Sequence, residues 1–183
     1  MQKTDLSKFN NDWYNSGASW LTRIIWYCTN TCFFNSYFPF YSMKIFLLRL
    51  FGAEVGRNVV IKPKLNIKYP WKLKIGNYCW IGEGVWIDNL DEVIIGDNSC
   101  ISQGALLLCG NHNYKKSTFD LMTGKIILEE GVWLGAKSIV CGGVTCKSHS
   151  VLSVASVAVS DLEAYSVYQG NPAVKIKERI ISE

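Results

Sequence analysis

From residue 55 onward an aliphatic or small residue recurs every sixth position, at 55, 61, 67, 75, 81, 87, 95, 101 and 107, then at 128, 134, 140, 146, 152 and 158. IGNYCW, IGEGVW, IGDNSC and ISQGAL show the unit. A period of six fits neither the 3.6 spacing of a helix nor the plain alternation of an isolated strand. It predicts an all-β solenoid, in which short strands joined by tight corners wind a narrow prism and each leading residue points inside. Four places after each leader a compact residue fills the space beside it: Cys79, Val85, Ser99, Ala105, Ser138, Val144, Ser150 and Ser156. Gly56, Gly76, Gly82, Gly96 and Gly135 follow leaders, and Asn58, Asn77 and Asn98 are read as corner residues that accept left-handed backbone angles.

The interruptions carry as much information as the repeat. The intervals 67 to 75 and 87 to 95 are eight residues long, and they lie twenty residues apart. Twenty is one coil of eighteen plus a two-residue insertion, so both bulges fall at the same corner of successive coils. The same interval added to Ile87 reaches Leu107, where the chain leaves the repeat for a loop at 108–127. That loop holds His112, one of only two histidines. Asp88, Asn89 and Asp91 are thereby placed beside it on the neighbouring coil. Polar side chains converging from different coils onto a rigid scaffold are how a site is built, and a loop this long in a compact domain points to function.

Length and composition set outer limits. With 183 residues the chain suits one domain, divided into an aromatic-rich segment 1–54, the repeat 55–165 and a tail 166–183. A net charge of +4 without blocks of like charge gives nucleic acid no footprint. The N-terminus lacks the pattern of a secretory signal, and the seven scattered cysteines do not suggest a disulfide framework, so the expected compartment is the cytoplasm. Two short amphipathic helices are expected at about 19–34 and 42–51. They either cap the open end of the solenoid or rest residues 19–51 on a membrane surface. The tail, VYQGNPAVKIKERIISE, reads as a tight turn followed by a short basic helix bearing Lys175, Lys177 and Arg179. These cations are either solvated or meet phosphates. No metal is expected: Cys109 and His112 have ligand-like spacing, but Cys146 is an inward leader while His149 sits at a corner. His149 is read as a corner residue only.

The repeat resembles the hexapeptide-repeat family, whose left-handed parallel β-helix has eighteen residues per coil. FLLRLFGAEVGRNVVIKP, KYPWKLKIG, ISQGALLLCGNHNY and GNPAVKIKER are similar to the colanic acid biosynthesis acetyltransferase branch. The resemblance implies transfer of acetyl from acetyl-CoA to a sugar hydroxyl in surface polysaccharide synthesis, with a homotrimer as the working assembly. It implies His112 as general base, since imidazole suits proton transfer near neutral pH. Asp88, Asn89, Asp91, Asn111 and Tyr114 become candidates for binding the acceptor, free or lipid-linked, or for orienting His112. The coenzyme is expected along 133–138 and 152–161, at Trp133, Gly135, Ala136, Val154, Ala155 and Ser160, with Lys175 and Lys177 near its phosphates. The chain departs from better-known sugar acetyltransferases at Ala136, where they carry Ser, and near Ser160, where they carry Lys. Their active-site asparagine aligns with Gly82, and Asn89 is the candidate substitute. Two alternatives stay open: a cysteine nucleophile at Cys109, and a noncatalytic solenoid that scaffolds a synthesis complex or binds carbohydrate.

Overall fold

The computed structural model describes residues 3–182. Residues 54–158 wind a three-faced prism of parallel strands, each pairing with the strand one coil away. The first face stacks Glu54–Val55, Leu73–Ile75, Val93–Ile95, Ile126–Leu128 and Thr145–Cys146. The second stacks Val60–Ile61, Trp80–Ile81, Cys100–Ile101, Trp133–Leu134 and Val151–Leu152, and the third Asn66–Ile67, Trp86–Asp88, Leu106–Leu108, Ile139–Cys141 and Val157–Ala158. The six-residue leaders align in three files: 55, 75, 95, 128 and 146; 61, 81, 101, 134 and 152; and 67, 87, 107, 140 and 158. All are buried except half-buried Val55, and the compact residues four places on are buried beside them. One such file per face is the core.

Corners stack as closely as strands do. A Cβ at Gly56 would come within 2.6 Å of the backbone of Gly76, so the glycine is required by the next coil's approach. Left-handed corner angles occur at Asn58 and Asn98, but in the coil between them at Tyr78 and not at Asn77. Asn77 instead ties three coils together: its Oδ1 accepts from Arg57 N–H and its Nδ2 donates to Asp97.

A solenoid leaves its first coil with unpaired strand edges. Helix α1 (Trp20–Thr29), which continues as a π-helical turn to Phe34, and helix α2 (Tyr41–Leu50) close that end. Trp26, Phe34 and Leu48 plug the prism. Polar groups of the cap then satisfy the open backbone on each face in turn. Trp26 Nε1 donates to Ile67 O, and Asn30 Oδ1 accepts from Ile67 N–H. Lys44 Nζ donates to Lys62 O, Ser36 O accepts from Lys64 N–H, and Arg49 donates to Val55 O and Gly56 O. Capping is therefore the role of the helices' inner side.

The far end departs from expectation. No basic helix forms: Ser166–Gly170 stacks on the second face and turns back as an antiparallel hairpin through Ala173–Glu178. Val174 and Ile176 alternate with Lys175 and Lys177, a period of two that favours strand over helix. Arg179 fastens the hairpin by donating to Gly131 O and His149 O.

Candidate active site

The corner between the third and first faces bulges on two successive coils, as the eight-residue intervals require. On the third coil it extends into an antiparallel hairpin, Gly110–His112 against Leu121–Thr123, with His112 opposite Leu121. The segment read as an irregular loop is thus an ordered arm. Gly110 lets the arm leave the prism, because a Cβ there would strike the Leu90 side chain on the bulge below.

His112 is half-buried near the tip of this arm. Its ring stacks on Phe119, with centroids 4.4 Å apart and planes 8° from parallel, and Phe9 packs against it at 5.8 Å. Nδ1 lies 2.9 Å from the Phe119 carbonyl oxygen. A carbonyl can only accept, so Nδ1 carries the proton and Nε2 is left with its lone pair free. The orienting group is this carbonyl, and none of Asp88, Asn89 or Asp91. Asn111 Oδ1 accepts from His112 N–H and fixes the backbone at the same point.

The acceptor candidates separate. Asp88 is buried against Lys68, with Nζ 2.9 Å from its Oδ1 but off the hydrogen-bonding direction, so the oxygen retains acceptor capacity. Asn89 is 0% exposed, and its amide accepts from Tyr69 N–H and donates to Tyr69 O. It locks one bulge onto the next and presents nothing to a ligand. Asp91 accepts from Glu92 N–H, and Tyr114 stands exposed at the tip of the arm. Cys109 is buried, and that burial pushes its thiol up to about 12, which removes it as a thiolate nucleophile near neutral pH.

An N-terminal strap, which nothing in the sequence pattern marked, runs over this corner. Tyr14 Oη and Lys72 Nζ both donate to Leu90 O, Trp71 Nε1 donates to Ser16 O, and Asp5 N–H donates to Ser117 O. The strap brings Phe9 to His112. Nearby, a groove of about 670 Å³ separates α1 from the third face. Trp20, Tyr27, Tyr69 and Trp86 line it together with Lys68 and Asp88. Asp88 O accepts from Cys109 N–H, so the groove ends where the histidine arm begins.

A second groove, of about 900 Å³, lies along the second face and its corner with the third. It is lined by Trp133, Gly135, Ala136, Val154, Lys177 and Arg179, among others. Five expected coenzyme positions meet there: Trp133, Gly135, Ala136, Val154 and Lys177. Ala155, Ser160 and Lys175 lie outside the lining, and Lys175 pairs with Glu178 at 2.6 Å. Gly135 is small for a reason other than ligand approach, since a Cβ would sit 2.6 Å from Val154 N on the next coil. Trp133 Nε1 donates to Ser102 Oγ across the face and sets the indole along the groove. Gln103, Glu178 and Ile180 also line it, and they carried no periodic signal in the sequence.

No family model matches the chain. Over 180 residues it is 38% identical to the colanic acid biosynthesis acetyltransferase WcaF of Escherichia coli strain K12, covering 98% of this chain and 99% of that protein. The chain belongs to the WcaF family of acetyltransferases. The galactoside O-acetyltransferase of the same bacterium is 26% identical over 72% of this chain and 66% of its own length. Among solved structures, a Clostridium difficile maltose O-acetyltransferase superimposes with a TM-score of 0.81 at 19% identity, over 89% of this chain and 90% of that one. A Vibrio cholerae hexapeptide-repeat acetyltransferase complexed with acetyl-coenzyme A gives 0.80 at 20% identity, over 90% and 92%. The WcaF-type prism therefore has the left-handed β-helix architecture of hexapeptide-repeat acetyltransferases.

Proposed function

We propose that this WcaF-family acetyltransferase moves acetyl from acetyl-coenzyme A to a hydroxyl of a sugar used in surface polysaccharide, with His112 as general base. The observation that carries the reading is the hydrogen bond from His112 Nδ1–H to Phe119 O, which leaves Nε2 as the only free acceptor on the ring. Nε2 takes the proton of the acceptor hydroxyl as its oxygen attacks the thioester carbonyl. The tetrahedral adduct collapses, the carbon–sulfur bond breaks, and the departing thiolate recovers the proton from the imidazolium. Hydrogen-bond donors, most simply backbone amides, stabilise the oxyanion.

The groove beside α1 is the acceptor site in this reading. Its aromatic faces suit the C–H surface of a sugar, and the Asp88 carboxylate suits its hydroxyls. Phe9 packs against the His112 ring beyond the end of the groove. The second groove takes the coenzyme, with the pantetheine arm along Trp133 and Ala136 and the phosphates toward Lys177 and Arg179.

Within one protomer the α1 groove lies on the first two coils of the third face, whereas the second groove lies on later coils at that face's corner with the second. The outer surfaces supply a reason for a second protomer. The first face is mixed, with Lys74 paired to Glu54 and Glu92 on its early coils and Ile94 and Ile127 outward on the next two. The other two are apolar: Val60, Trp80, Cys100 and Trp133 point outward on the second, and Trp86, Leu106, Ile139 and Val157 on the third. Two unlike apolar faces suit a closed ring of head-to-tail contacts, and a homotrimer brings the histidine arm of one protomer to the coenzyme groove of the next. Unbridged cysteines and the use of acetyl-coenzyme A support a cytoplasmic site of action.

His112→Ala tests the base. Acetyl transfer from acetyl-coenzyme A, followed by coenzyme release over a panel of free, nucleotide-linked and lipid-linked sugars, is expected to fall by about 10² or more while oligomeric mass stays unchanged. Unaltered turnover on the accepted sugar would remove the mechanism, and a chain that binds sugar without releasing coenzyme would favour the scaffold reading.

A further inference from the structure

Both helices of the cap are apolar on two opposite sides. The inner sides bury Trp26 and Leu48. At about 100° per residue, the point opposite Trp26 falls between Ile24 and Cys28 with Leu21 beside them, and the point opposite Leu48 falls on Phe46 and Leu50 beside Met43. A helix lying on a folded core normally turns polar residues outward. Here Leu21, Phe46 and Leu50 are 53%, 59% and 66% exposed, and Ile25 and Met43 are exposed with them, whereas Trp20, Ile24 and Tyr27 turn toward the groove on the third face. So dense an apolar surface, facing away from the prism, marks an interaction site.

Its charge selects the partner. Residues 13–53 contain no Asp or Glu, and with Lys44 buried in the cap their exposed cations are Arg23 and Arg49. Trp20, Tyr27, Tyr37 and Tyr41 of the same stretch are exposed, the residue types favoured at the boundary between lipid headgroups and acyl chains. A second copy seated cap to cap across a two-fold axis would set Arg23 and Arg49 toward their own images, with no carboxylate in the segment to pair with them. An anionic lipid surface satisfies both properties at once. Among the described residues no helix is long and apolar enough to cross a membrane, so the contact is one of helices lying in the interface.

We propose that the outer side of the α1–α2 cap docks on a bilayer bearing anionic lipid. The contact is independent of the acetyl-transfer chemistry. In the trimer proposed above, parallel prisms turn three such caps the same way and multiply a weak contact.

Flotation of the full chain with phosphatidylcholine vesicles, with and without about one third phosphatidylglycerol, tests the proposal. The chain is expected to float with the anionic vesicles and to be released by added salt. Leu21→Glu combined with Phe46→Glu is expected to lower the bound fraction by about tenfold or more, at unchanged melting temperature and oligomeric mass. Should that variant fail to fold, Met43→Lys with Leu50→Lys probes the same surface. Absence of binding to either vesicle overturns the proposal. So does a native assembly of doubled mass that these substitutions split, because a second copy would then occupy the face.

Discussion

His112 depends on its neighbours more than on its own position in the sequence. The Phe119 carbonyl sets its tautomer, the Phe119 ring holds its plane, and Phe9 arrives from a distant strap. None of these three is periodic, so none was legible as a partner. Asn89 shows the opposite limit. The twenty-residue offset puts it on the bulge one coil below the His112 arm, but burial turns its amide onto Tyr69 instead of toward an acceptor. Asn89→Ala is expected to destabilise the fold by about 1–3 kcal/mol, the cost of leaving buried backbone groups without partners. Denaturation in urea measures this. An altered KM for the acceptor at unchanged stability would return Asn89 to the binding site.

At the level of elements, the repeat was readable because a prism wall admits few side chains. One inward residue per six, with a small neighbour, is what stacked coils require, and the files through Ile61, Ile81 and Ile101 or Ile67, Ile87 and Leu107 follow from it. The helices were readable too, close to their observed limits. The two hairpins were not. The arm at His112 has strands of only three residues, too short for alternation to stand out, and it is held by packing on Leu90. The C-terminal segment forms a hairpin in place of the expected basic helix, because Val174 and Ile176 alternate with its lysines and Ser166–Gly170 offers an edge to pair with. The difference matters to function, because the hairpin's register shifts at Ile176 and separates two lysines that plain alternation would put on one side: Lys177 lines the coenzyme groove while Lys175 pairs with Glu178. Lys177→Ala is therefore expected to raise KM for acetyl-coenzyme A by about tenfold, the scale of one lost charge-assisted contact, with kcat nearly unchanged. Equal losses in kcat and kcat/KM would place Lys177 at the reacting centre instead.

The whole molecule has one mixed wall, two apolar walls, a helical cap at one end and a hairpin at the other. Its two grooves stand on different corners of the prism. In the homotrimer proposed above, the active site is a property of the assembly: His112 of one protomer serves the groove of its neighbour. Two variants, each inactive alone, test this most directly. His112→Ala removes the base and leaves the groove intact, whereas Ala136→Trp fills the groove and leaves the base. Co-assembled at equal amounts, random threefold rings regain about a quarter of native activity, because each mixed ring contains one interface with both functional halves. Acetyl transfer that stays at the level of the separate variants, in rings shown by mass to be mixed, would contradict the shared site.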